Sequence, residues 1–153
     1  MTRFKRSAYS FVEVIIVVIF LGIIAVIAVP KLNFSVTDRQ QAETITGKIV
    51  TDLRRTRMLS ISEAATNTAG FALNMTGYSP YTGYEIRNLD TSEIVDSFEI
   101  DSRINCTGGA SFNFGPLGNL LTGSDNQLVV SASGKTCTIS IVPATGMIKW
   151  QEN

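Results

Sequence analysis

Three patterns of apolar and polar positions follow one another along the chain. From Val14 to Val29 every residue is apolar, glycine and alanine included. From Arg39 to about Ala65 the apolar and small residues return at the helical period, as Ala42, Ile45, Ile49 and Leu53, continued by Thr56, Ser60 and Ala64. After Asn67 the period shortens to two. Alternating segments run Gly70–Met75, Tyr84–Arg87, Ile94–Ile100, Arg103–Cys106, Ser111–Phe114, Gln127–Ser131, Thr136–Val142 and Met147–Trp150. Ser133-Gly134 and Thr145-Gly146 between the last three read as hairpin turns. This predicts helix followed by about seven short antiparallel strands, hence an α+β chain.

The apolar block from Tyr9 to Val29 is long enough, at about 31 Å of helix, to cross a hydrocarbon core of about 30 Å. It outruns a secretory h-region and ends in Pro30-Lys31-Leu32, without an A-x-A cleavage pattern. An uncleaved single span is therefore expected, with the basic head Arg3, Lys5 and Arg6 kept cytoplasmic and the remainder exported. Glu13 conflicts with that picture, because a carboxylate inside a span costs on the order of 3 kcal/mol. It either snorkels at the interface or needs a cationic partner that arrives on assembly.

The stretch Ala8-Tyr9-Ser10-Phe11-Val12-Glu13, followed by an apolar helix and Pro30, resembles the class III signal of type IV pilins and type II secretion pseudopilins. The resemblance covers about 25 residues. It implies cleavage by a prepilin peptidase between Ala8 and Tyr9, methylation of the new amine at Tyr9, and Glu13 as the fifth mature residue, with Ser10 second and Pro30 at the family's proline. Ala8 stands where glycine is usual and Tyr9 where phenylalanine or methionine is usual. In this reading the N-terminal cation of one subunit pairs with Glu13 of its neighbour in a low-dielectric bundle, where such pairing is strong and sets the axial register. Gly22 and Pro30 are places where such a helix loosens or bends.

The interval 31–37 weakens helix propensity through Asn33, Ser35, Val36 and Thr37, and Asp38 with Gln41 has capping-box spacing. The resemblance instead implies one helix running through, so a helix with a kink is expected. Within the second helical stretch, Leu53-Arg54-Arg55-Thr56-Arg57-Met58-Leu59-Ser60 looks like the L-x-x-A-R-x-x-A pattern of H-type minor pseudopilins and FimT-like pilins. Leu53 and Arg57 match, and Thr56 and Ser60 replace the alanines. A buried helix face ending in a salt-bridging Arg57 explains the same residues. Phe112-x-Phe-Gly-Pro-Leu-Gly before two hairpins is also similar to the C-terminal domain of that group.

Composition narrows the chemistry. Thirteen basic and thirteen acidic residues balance, and there is no histidine. Loss of Arg3, Lys5 and Arg6 with the leader leaves an acidic mature chain, a poor default for nucleic acid. Without histidine there is no Ser-His-Asp or Cys-His constellation and no HExxH, and Cys-x-x-Cys is also lacking. No enzyme and no cofactor are expected. Cys106 and Cys137 fall in the exported part and can pair in an oxidising periplasm. A disulfide closing a loop of about 30 residues stabilises by roughly 3–4 kcal/mol in chain-entropy terms, and is preferred over two separate buried thiols. Leu121 to Gln127 carries calcium-type oxygen ligands, but Asp125 is its one carboxylate and a simple turn is preferred. Lys149-Trp150 is either an exposed binding tip or a strand end with a packed indole.

Together these observations predict a leader (residues 1–8), a transmembrane and assembly helix (9–30), its amphipathic continuation (31–66) and an exported β domain (67–153). The expected fold is a long N-terminal helix, membrane-spanning in its first half, packed against one C-terminal antiparallel sheet as in pilins. The expected role is a filament subunit of a type IV pilus or secretion pseudopilus at the bacterial inner membrane. Its partners would be the prepilin peptidase, other pilin subunits and the inner-membrane assembly platform. The alternative is a membrane-anchored minor pilin that captures DNA or a surface at a tip.

Overall fold

A computed structural model of the chain describes residues 10–28 and 34–153, with side chains described at 10–24 and 36–153. The chain divides into two compact units, Met1–Phe34 and Ser35–Asn153.

The first unit contains helix α1, Phe11–Ala28. Ser10 precedes it, and its carbonyl accepts the N–H of Glu13 at 2.9 Å and of Val14 at 3.3 Å. Ser10 and Glu13 have the S-x-x-E spacing of a capping box, and a carboxylate in the first turn answers the positive end of the helix dipole. The body is rich in Val and Ile, whose χ1 restriction makes them only moderate helix formers in water. Burial of the side chains, not propensity, must therefore hold such a helix.

The second unit is built on helix α2, Phe34–Ser62, against eight strands: β1 Phe71–Thr76, β2 Gly83–Asn88, β3 Ile94–Glu99, β4 Asn105–Gly108, β5 Ser111–Phe114, β6 Gln127–Ala132, β7 Lys135–Val142 and β8 Met147–Glu152. They form two four-stranded sheets, ordered β3-β2-β1-β5 and β4-β6-β7-β8, and every pairing is antiparallel. Register places Leu73 opposite both Ile86 and Phe112, and Met75 opposite Tyr84, so these side chains share one face of the first sheet. On the second sheet Leu128 lies opposite Ile139, and Ile141 opposite Ile148. Both faces meet Ala42, Ile49, Val50 and Leu53 of α2 in one apolar core.

Two expectations about the fold are overturned. The first is the long membrane-spanning helix. The described helices are two, Phe11–Ala28 and Phe34–Ser62. Among the described residues no helix is long and apolar enough to cross a membrane. The 18 residues of α1 extend about 27 Å, short of a core of about 30 Å. The second is the single sheet. Strand β4 joins the second sheet and β5 the first, so the chain changes sheet after β3, again at Gly108-Gly109 after β4, and once more after β5. Gly108 has φ +111°, a conformation that only glycine adopts readily, and a Cβ on Gly109 would collide with the Asp125 side chain. Alternation alone shows a strand's faces, not its neighbours, so it could not reveal this change.

Candidate functional site

The residues singled out for processing and assembly are Ala8, Tyr9, Ser10, Glu13 and Pro30. Ala8, Tyr9 and Pro30 lie outside the described residues. Ser10 and Glu13 stand at the start of α1 as above. Every described side chain of α1, from Phe11 to Ile24, is exposed within the chain. Exposure reaches 79% at Phe11 and stays between 42% and 62% for the large apolar residues from Val12 to Ile24. These residues occupy the whole circumference of the helix, not one stripe. An apolar surface that continuous is an interaction site or an aggregation hazard on a soluble protein.

Helix α2 behaves differently. Of the expected stripe, Ala42, Ile49, Leu53, Thr56 and Ser60 are fully buried against the sheets, Ile45 is half-buried, and Ala64 lies past the end of the helix; Thr46, outside the expected stripe, is fully buried too. The buried hydroxyls are satisfied locally. Thr46 donates to the Ala42 carbonyl and Thr56 to that of Asp52, each at 2.7 Å. Ser60 Oγ lies 3.1 Å from the Phe114 carbonyl and accepts the Phe71 N–H at 3.1 Å, tying the helix to β1 and β5. Arg57 forms no ion pair among the described residues; its Nε donates to the Gly118 carbonyl at 3.0 Å. The turns at Gly118 and Gly146 press together there, since a Cβ on Gly146 would collide with the Gly118 carbonyl oxygen.

Asp52 was not singled out by sequence, yet it is the buried carboxylate of the domain. It accepts the Tyr84 hydroxyl and the Lys48 ammonium, each at 2.6 Å. Lys48 also sits 5.2 Å above the Phe98 ring. Burial, with the hydrogen bond and charge of Asp52, pushes the Tyr84 phenol far up. The one available signal was Lys48 and Asp52 at i,i+4, which usually marks a solvated helix face. A second tie joins the exposed Arg55 and Asp96 at 2.6 Å.

The expected disulfide is not formed: Cys106 and Cys137 are both buried and free. Cys106 lies opposite Val130 on one side and Cys137 lies opposite Val130 on the other. The two thiols are thus two strand spacings apart, about 10 Å, beyond the reach of a disulfide at about 7 Å between Cα atoms. Burial alone pushes the Cys106 thiol up to about 12. Asp125 accepts the N–H groups of Ala110 at 2.7 Å and Ser111 at 3.1 Å, so its carboxylate holds the turn where the chain changes sheet. Lys149 and Trp150 lie on edge strand β8, with Trp150 opposite Ile139 and 41% exposed.

Among the described residues no group of acidic or cysteine side chains is placed to hold a metal ion. A scan of protein-family models, a search of curated proteins and a search of solved structures return no match to this chain.

Proposed function

We propose that the chain is a structural subunit of a type IV pilus-like filament or type II secretion pseudopilus. It is made as a prepilin, cut between Ala8 and Tyr9 by a prepilin peptidase, methylated at Tyr9 and polymerised through α1. The observation that carries this reading is α1 itself: an apolar helix exposed around its circumference, with a single carboxylate, Glu13, in its first turn. Such a helix needs apolar surroundings on all sides. In an assembled filament the α1 helices of neighbouring subunits supply them. Glu13 then meets the N-terminal cation of a neighbour, a pairing that is strong once water is excluded.

The second unit has the character of the part that faces outward, with a folded core of its own and a charged exterior. The experiment is the mass of the N-terminus in sheared surface material and in membranes. The expected chain begins at a methylated Tyr9 and partitions into the sheared fraction. A chain that keeps Met1 in cells with an active prepilin peptidase overturns the reading.

A further inference from the structure

The core stripe of α2 leaves two flanks, and the structure furnishes them differently. On one flank, Arg54, Arg57 and Met58 form an open groove with Thr145, Met147 and Ile148. Met58 is 58% exposed and Met147 47%. Leu117 projects beside this groove, 88% exposed, from the turn whose Gly118 carbonyl holds Arg57. Among the described residues neither Arg54 nor Arg57 has a carboxylate partner. The groove's far wall is β8, the open edge of the second sheet.

The other flank carries Lys48, Asp52 and Arg55, which hold the first sheet. Its outer strand is β3, the open edge of that sheet. Ile94 and Val95 are exposed there, and so are the acidic side chains Asp90, Glu93 and Glu99 around them. The register shifts here, with Arg87 opposite Ile94 and Ile86 opposite Asp96, so Val95 is the extra residue of a bulge, and the edge offers exposed side chains rather than a continuous ladder.

We propose that the β3 edge of one copy docks into the Arg54–Arg57–Met58–Met147 groove of the next copy. The carboxylate-flanked Ile94-Val95 pair matches the apolar floor, and Glu93 and Asp90 answer the two unpaired guanidiniums. The two surfaces are different patches of one molecule. Their contact is therefore heterologous, which builds a filament when successive rotations do not close into a ring, and the filament reading selects that case. The proposal deepens the filament reading by naming a second contact, made by the folded domains and separate from α1.

The test uses the full chain in detergent micelles and, separately, in assembled filaments. Met58→Cys and Val95→Cys are introduced singly and together, and a short bismaleimide is added; Cys106 and Cys137 are buried and serve as the unreactive background. The mixture of the two single variants should crosslink to dimers, each single variant alone should not, and the double variant should give a ladder. Arg54→Glu should lower the crosslink about tenfold, and adding Glu93→Arg to it should restore the yield. Folding of each variant is checked by urea unfolding, since all four positions are exposed.

Equal crosslinking of Met58→Cys with itself overturns the proposal in favour of a two-fold contact. Filaments with methylated Tyr9 but no Met58–Val95 crosslink overturn the docking while leaving the filament reading intact. A ladder in micelles from a chain that keeps Met1 supports the docking and removes the filament reading. Arg54→Glu that leaves crosslinking unchanged, but abolishes low-salt retention of a DNA duplex, assigns the groove to nucleic acid and overturns the proposal.

Discussion

Along α1 every described side chain from Phe11 to Ile24 is exposed, and all but Glu13 and Gly22 are large and apolar. Along α2 the exposed side chains are mostly polar, and the fully buried ones include Ala42, Thr46, Thr56 and Ser60. The apolar helix is thus the one without a core, and the helix with the core reaches it largely through small residues. The difference shows that hydrophobicity alone does not mark the inside of a fold. What matters is whether a face has a complementary surface within the same chain. The sheets supply one for α2, and small side chains let the strands approach closely enough for Ser60 to bond to Phe71 and Phe114. The described side chains of α1 are exposed, and the filament reading places their complementary surface in other copies.

The sharpest way to break this comparison is Glu13→Ala. The one charge in α1 disappears, and with it the carboxylate that would answer a neighbour's N-terminal cation. Processing before Tyr9 should persist. The ratio of sheared filament to membrane-held subunit should collapse, while urea unfolding of the second unit stays unchanged. Assembly at the parental level would remove the charge-pairing role given to Glu13.

A pair of truncations measures the same contrast in stability. Leu53→Ala opens a cavity in the core and should destabilise the folded domain by about 2–5 kcal/mol. Ile16→Ala on α1 should change that unfolding by less than about 0.5 kcal/mol, since its side chain is exposed within the chain. Comparable losses from both would break the contrast between the exposed helix and the buried one.

Asp52→Ala tests the polar tie between α2 and the first sheet. It leaves the buried Tyr84 hydroxyl without its acceptor and should cost about 1–3 kcal/mol. Tyr84→Phe in the Asp52→Ala background should then recover part of the loss, because the orphaned hydroxyl is gone. Additive losses would show that the two groups act independently.

The smallest effect is at the surface. Arg103 donates to Asp101 through its side chain and its backbone N–H, and holds that carboxyl at about 2. The folded value lies below the unfolded one, near 3.9. The associated stability is therefore present above about pH 4 and is lost as pH falls through about 2. Arg103→Ala should move the Asp101 carboxyl titration, followed by NMR, back toward its unfolded value. A midpoint that stays near 2 would assign the shift to something other than the Arg103 side chain.

Much of this protein was decided by local pattern. The period of 3.6 around Ala42, Ile49, Leu53, Thr56 and Ser60 specifies the buried face of α2, because a helix turns its side chains at a constant angle. The alternation of Phe71, Leu73 and Met75, and of Leu128 and Val130, specifies strand faces for the same kind of reason. Asp38 and Gln41 have the spacing of a helix start, yet they lie within α2, which begins at Phe34. Tertiary structure alone decided which strands pair. The change of sheet at Gly108-Gly109 depends on Asp125 reaching the N–H groups of Ala110 and Ser111. The separation of Cys106 from Cys137 depends on Val130 coming between them. Asp52 became the anchor of the domain only when β2 brought Tyr84 to it. Each of these rests on contacts between residues far apart in the chain, and no local period encodes which distant strand arrives beside which.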